Sequence, residues 1–238
     1  MSPTFLCLEK TGINLSSIGS NAIVDNMKLP NKTLERKLFS QKYGYICAVD
    51  EVGMGCLAGP VLVCAVGFTN SFYNRAHKEL RRLRESKLLL PKQREKFASE
   101  LIKEKGLTYK IAYCRPKTID RVNIYQATRK AMKRAVLMCA TAPFAQLRTI
   151  VLVDGPRKIN DLNMEQMAIV RGDRKVFAIA CASIIAKVYR DKMMSRYAKK
   201  YPGYGFERHK GYGTKYHQTQ LASLGPCEIH RRSFRLEY

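Results

Sequence analysis

A chain of 238 residues has room for one sizeable hydrophobic core and little more. Its composition, 46% hydrophobic and 26% charged, excludes wholesale disorder, and no apolar run approaches the roughly 20 residues that cross a bilayer. Forty-three Lys and Arg against 19 Asp and Glu leave a net charge of +24, which favours a polyanionic partner, nucleic acid ahead of an anionic membrane surface.

Residues 1–29 mix Ser, Asn and Gly with scattered apolar residues and show no periodicity, so a loosely held extension is expected. The N-terminus lacks a basic stretch followed by an apolar one, and it contains acids, unlike secretory or transit segments. The eight cysteines are scattered without a CxxC pair, so neither a disulfide framework nor a zinc site is expected. Together these features suggest a reducing, cytoplasmic compartment.

A short amphipathic helix is predicted over 33–39, leading into a buried strand at 45–49. That strand delivers two adjacent acids, Asp50 and Glu51, from an apolar context. Gly53, Gly55 and Gly59 follow, and they let the backbone turn sharply and approach a ligand closely. A second β-rich run at 61–66 is close enough to pair with the first as a hairpin. Basic, helix-like sequence covers 75–84. Pro91 suits the first turn of a helix that stops at Gly106, and residues 109–113 alternate like a third strand. One long helix is predicted over 117–140. The clearest core strand, 149–153, ends on another acid, Asp154, and a further apolar run at 168–170 precedes Asp173. A helix over 177–200 begins with small residues suited to packing on a sheet, and a short helix is predicted over 215–224. Strands and helices in this order predict an α/β fold, a mixed sheet flanked by helices, with a small helical C-terminal element.

If the strands are neighbours, Asp50, Glu51, Asp154 and Asp173 converge at one end of the sheet. Like charges about 4 Å apart repel by roughly 4 kcal/mol at an effective dielectric near 20, so convergence calls for a cation or a protonated carboxyl. Oxygen donors point to Mg²⁺ or Mn²⁺, and paired ions on carboxylates suit phosphoryl displacement. With the basic surface, that pattern describes a nuclease. Strand alternation poses a difficulty, because Asp50 and Glu51 should face opposite sides; Glu51 is therefore expected at the strand end, where the backbone is already turning.

From about residue 33 to 234 the chain resembles bacterial ribonuclease HII, the type 2 ribonuclease H family. The matching motifs are Val49-Asp50-Glu51-Val52-Gly53, residues 57–61, Ser86-Lys87, residues 150–155 and Gly172-Asp173. They continue through 182–188 with Arg190-Asp191, then His209-Lys210-Gly211-Tyr212-Gly213-Thr214 and His230-Arg231-Arg232-Ser233-Phe234. The resemblance implies a ribonuclease H-like catalytic domain over 30–200 and a substrate-binding, basic helical segment over 201–238. It implies hydrolysis of RNA paired with DNA, and incision 5′ of ribonucleotides embedded in duplex DNA, leaving 3′-hydroxyl and 5′-phosphate ends. Asp50, Glu51, Asp154 and Asp173 carry over as catalytic and metal-binding carboxylates. Gly53, Met54 and Gly55 carry over as the loop that reads the ribose 2′-hydroxyl, Tyr212 as the residue on the neighbouring deoxyribose, and Ser86 and Lys87 as contacts near the substrate backbone. The partners implied are RNA–DNA hybrids and ribonucleotide-containing DNA, bound by a monomer.

Met54 stands where the family usually has Arg, Glu85 where it has Asp, Pro156 where it has Asn, and Arg174 where a small polar residue is common. Altered junction preference or weaker substrate binding is expected. A catalytically weakened binding relative, or another two-metal nuclease on the same fold, are the alternatives. Asp191 is read as supporting structure, the three histidines of the tail as packing or phosphate contacts, and Arg231 and Arg232 as solvated or phosphate-bound.

Overall fold

The computed structural model describes residues 29–75, 80, 83, 86–141 and 146–234. Residues 1–28 of the extension expected over 1–29, most of the basic 75–84 stretch and Glu85 lie outside the described residues. Five strands form one mixed sheet in the order β3-β2-β1-β4-β5. These are β1 (Tyr45–Val52), β2 (Val61–Thr69), β3 (Leu107–Cys114), β4 (Thr149–Asp154) and β5 (Glu165–Ile169). The first three form an antiparallel meander, and β4 and β5 run parallel to β1.

Alternation along β1 sorts its residues onto two layers. Ile46 and Ala48 join the core beneath α7 (Phe177–Lys200), while Tyr45, Cys47 and Val49 join the core beneath α5 (Ile124–Cys139). The small residues opening α7 do what their size suggests: Ala178, Ala180 and Ala182 are fully buried among the β-branched residues of the sheet. All ten residues from Phe177 to Ala186 are buried, as expected of a helix that is apolar all round. Helix α3 (Pro91–Lys103) packs on α7 with Pro91 in its first turn, and the Gln93 side chain accepts from the Leu90 N–H at 3.0 Å.

Three element boundaries differ from the sequence expectation. The helix predicted over 117–140 is two helices, α4 (Pro116–Val122) and α5, separated by Asn123 at φ +65°. The apolar stripe runs through both, so periodicity cannot see the break; Asn tolerates the left-handed turn, and its Oδ1 accepts from Gln126 N at 3.0 Å. Strand β5 begins at Glu165, ahead of the apolar run, and Val170 is exposed. Strand β1 does not end at Val49 but continues to Val52 against β2.

Beyond α7, residues 201–234 fold back across the glycine loop. Short helices α8 (Phe206–His209) and α9 (Lys215–Leu224) and a small core of Tyr204, Phe206, Leu221 and Ile229 close over Ala58 and Met194. Isolated bridges pair Cys56 with Tyr212 and Ala58 with His230. The small helical element thus sits against the loop that follows β1.

Candidate active site

Strand β1 leaves β4 after the Val49–Val153 pair but stays paired with β2 through Val52. Asp50 and Glu51 therefore lie at the forked end of the sheet, still in a strand and still alternating. Asp50 continues the α7 side of β1 and Glu51 the α5 side. One groove of about 580 Å³ wraps over that end and is lined by both, together with Asp154, Asp173, Gly53, Met54, Gly55, Ser86, Lys87 and Tyr212. Glu51 lies at the strand end, as expected, the next-to-last residue of β1, and the groove reaches around the sheet end to both acids.

Asp154 ends β4, and its Oδ1 accepts from Gly172 N at 2.6 Å. Asp173 is buried in the single-turn helix α6 (Gly172–Lys175), entered through Arg171 in the left-handed region. It does not cap α7, whose first turn follows Val176. Asp50 Oδ1 accepts from Glu51 N at 2.8 Å. Burial, then the Glu51 and Asp154 carboxylates, push the Asp50 carboxyl well above the usual range, with Ser183 opposing through a hydrogen bond. Glu51 is pushed up to about 7, first by burial and then by Asp154. Among the described residues no three His, Cys, Asp or Glu side chains are drawn together as a ready metal cage. The donor chemistry nonetheless fits a hard divalent cation: the acids on the groove are all carboxylates, and they raise one another's protonation, which a cation would relieve.

Ser86 is buried, its Oγ 2.9 Å from Ser183 Oγ, while Lys87 is exposed at the rim. Tyr212 is 39% exposed, with Lys187 Nζ 5.6 Å and the Arg190 guanidinium 5.9 Å from its ring centre. Met54 is half-buried against the α5-side core and lines a second groove as well, with Asn123, Tyr125, Arg129, Arg157 and Lys158. Pro156 lines that second groove too, and Arg174 is exposed beside Asp173.

Ser183 and Lys187 lie in the motif matched over 182–188 without a role assigned to them, and Asp191 is the residue read as supporting structure. Ser183, Lys187 and Asp191 recur every four residues along α7, one polar stripe on an apolar helix, and that spacing was the available signal. Lys187 Nζ sits 2.8 Å from Asp191 Oδ1, and Asp191 also faces Arg94 at 3.9 Å. Arg94 donates to Ser86 O at 2.6 Å, so Asp191 steadies two of the cations that line the groove, Arg94 and Lys187, without lining it itself. Arg231 is fully buried and donates to backbone carbonyls, which corrects its reading as a solvated or phosphate-bound residue.

The tail histidines are packing. His209 stacks on His217 with ring centres 4.2 Å apart. His217 Nδ1 donates to Tyr212 O at 2.8 Å, and its Nε2 accepts from His230 Nε2 at 3.1 Å. His230 Nδ1 in turn accepts from Cys227 N at 3.0 Å. Burial lowers all three pKa values, that of His230 to about 4, so the chain is neutral and braces the turn that carries Tyr212.

A family model described as Ribonuclease HII matches residues 47–237. The ribonuclease HII of Caldicellulosiruptor saccharolyticus is 47% identical over 201 residues, covering 84% of this chain and 92% of that protein. The crystal structure of ribonuclease H2 from Pyrococcus horikoshii OT3 matches with a TM-score of 0.63 at 24% identity, over 81% of this chain and 94% of that one. Bst-RNase HIII in complex with Mn²⁺ matches at TM-score 0.62 and 15% identity, over 82% and 68%. Both share the mixed sheet and its flanking helices, which makes the fold ribonuclease H-like.

Proposed function

The chain belongs to the ribonuclease HII family and is therefore an endoribonuclease of the ribonuclease H type, and on that premise we propose that it cuts the RNA strand of RNA–DNA hybrids and incises duplex DNA 5′ of embedded ribonucleotides, leaving 3′-hydroxyl and 5′-phosphate ends. One observation carries this reading best: four carboxylates share a groove with a glycine that the fold itself does not require. A Cβ on Gly53 would lie 2.2 Å from Arg190 Nε and one on Gly59 2.5 Å from Met194 Sδ, so packing demands both glycines. A Cβ on Gly55 would meet no protein atom within 4 Å, and its φ is not positive. What needs the bare backbone at Gly55 is something approaching from the groove, and a 2′-hydroxyl, the mark of a ribonucleotide, must be read at such close range.

Asp50, Glu51, Asp154 and Asp173 would hold Mg²⁺ or Mn²⁺, the latter being the ion named in the Bst-RNase HIII complex. Divalent cations bound there supply charge stabilisation for the attacking and leaving oxygens of an in-line displacement. The rest falls to the chain. Lys187 and Lys87, both lining the groove, offer positive charge to the strand, and Tyr212 offers a ring face to a neighbouring sugar. Met54 itself contributes no charge to phosphate binding there.

Matched duplexes with and without a single ribonucleotide, incubated with Mg²⁺ or with Mn²⁺, test the proposal. Cutting confined to the ribonucleotide strand is expected, and Asp50→Asn should lower kcat by roughly a thousandfold or more. Equal cutting of the all-DNA duplex would indicate a general nuclease, and tight binding without cutting would indicate a relative that only binds.

A further inference from the structure

Two arginines lie wholly inside the protein behind the glycine loop: Arg190 from α7 and Arg231 from the C-terminal segment, each 0% exposed. Among the described residues neither pairs with a carboxylate; every hydrogen bond they make is to a backbone carbonyl. Arg190 donates to Pro60 O at 3.1 Å, Ala58 O at 3.2 Å and Lys210 O at 2.8 Å. Arg231 donates to Gly59 O at 3.0 Å, Met54 O at 2.7 Å and Gly53 O at 2.6 Å. Five of the six acceptors belong to residues 53–60. A buried guanidinium without a counter-ion is costly, so an arrangement that spends two of them on one loop calls for a reason beyond packing.

Peptide geometry supplies it. In a trans peptide the C=O of one residue and the N–H of the next point in opposite directions. By drawing the Gly53 and Met54 carbonyls inward, Arg231 turns the N–H groups of Met54 and Gly55 outward, where both residues line the groove. Among the described residues those two amides have no partner within the protein, whereas Leu57, Ala58 and Gly59 donate to Gly211 O, Gly211 O and Ile229 O. The buried positive charge also polarises the two peptide units it touches, which strengthens their outward N–H groups as donors.

We infer that Arg231, seconded by Arg190, is a positioning residue for ribonucleotide discrimination: it holds the Met54 and Gly55 amides as a paired donor for the ribose 2′-hydroxyl. The inference rests on the proposed ribonucleotide specificity and assigns its source to a side chain that does not touch the substrate. Lysine keeps the charge at 231 but cannot span three carbonyls, so Arg231→Lys separates aim from charge.

The measurement is the affinity of full-length protein, in EDTA, for a duplex with one ribonucleotide and for the matched all-DNA duplex, alongside the thermal midpoint. Wild type should prefer the ribonucleotide duplex. Arg231→Lys should lose that preference about tenfold while its affinity for the all-DNA duplex stays within about twofold, a split that general destabilisation does not produce. Preference retained by folded Arg231→Lys overturns the inference alone; a wild type with no preference in binding or cutting overturns the specificity beneath it. Should Arg231→Lys fail to fold, amide hydrogen exchange on wild type decides. Met54 and Gly55 should exchange freely in the unbound protein and become protected by the ribonucleotide duplex more than by the all-DNA duplex. Equal protection by both counts against the inference.

Discussion

At Asp50 the protein places a carboxyl whose charge its surroundings oppose. Burial and the neighbouring carboxylates both favour the neutral form, while Ser183 and the Glu51 N–H accommodate the oxygens. A site assembled this way trades stability for function, so neutralising it should stabilise the metal-free protein even as it removes activity. Asp50→Asn keeps the Oδ1 acceptor and should raise the stability of the protein in EDTA by about 1 kcal/mol, read by denaturant unfolding. A fall in stability would show that the carboxylate is held by favourable contacts and not in a repulsive cluster. The identity of the four acids was legible in the sequence because each follows an apolar strand or run. The two buried arginines were not, since nothing in one-dimensional spacing distinguishes an Arg aimed at carbonyls from one aimed at water.

Helix α7 is the element on which the site is built, and its N-terminus is held from outside. Its own flanking residue, Val176, offers no capping side chain; Glu35 of α1 (Thr33–Ser40) instead accepts from Ala178 N at 2.9 Å. Its other oxygen, Oε2, is buried without a hydrogen-bond partner among the described residues, and burial raises the Glu35 carboxyl from an ordinary 4.5 to about 6. A carboxyl raised on folding binds more protons in the native than in the unfolded state between those two values. Its contribution therefore diminishes as pH climbs from 4.5 through 6, by about 2 kcal/mol in all. Glu35→Gln retains the acceptor and does not titrate, so its stability relative to wild type should improve by about that amount between pH 4 and pH 7. Urea unfolding at the two pH values measures it, and a constant difference would show that Glu35 keeps its ordinary pKa. Helix α5 carries the opposite lesson: its stripe was legible, but its start was set by one left-handed Asn that periodicity cannot register.

Taken whole, the molecule is a strongly basic body with four of its 19 acids gathered where the chemistry is proposed. The net charge of +24 predicts binding that weakens steeply with salt, and the second groove localises part of that effect. Arg129 and Arg157 line it beside Glu51, Met54 and Asp154, so a strand leaving the first groove would enter it. Replacing both with Ala should flatten the slope of log K against log salt concentration by roughly two, close to one per lost phosphate contact, for ribonucleotide and all-DNA duplexes alike. An unchanged slope would remove the second groove from the substrate path.

By itself the sequence determined which residues are chemically unusual. Acids that end apolar runs, glycines in a cluster and an excess of basic residues follow from composition and periodicity, and the family motifs are local strings. Helices and strands of the core were legible for the same reason, because burial imposes a period on the chain. Only the tertiary structure decided how Asp50 and Glu51, on opposite faces of one strand, come to share a groove: β1 and β4 diverge after Val49, and the opening passes around the sheet end. It also decided that Arg231, some 178 positions from Gly53, aims that loop's amides. Contacts between residues so distant in the chain depend on how the elements pack, and no spacing along the chain encodes them.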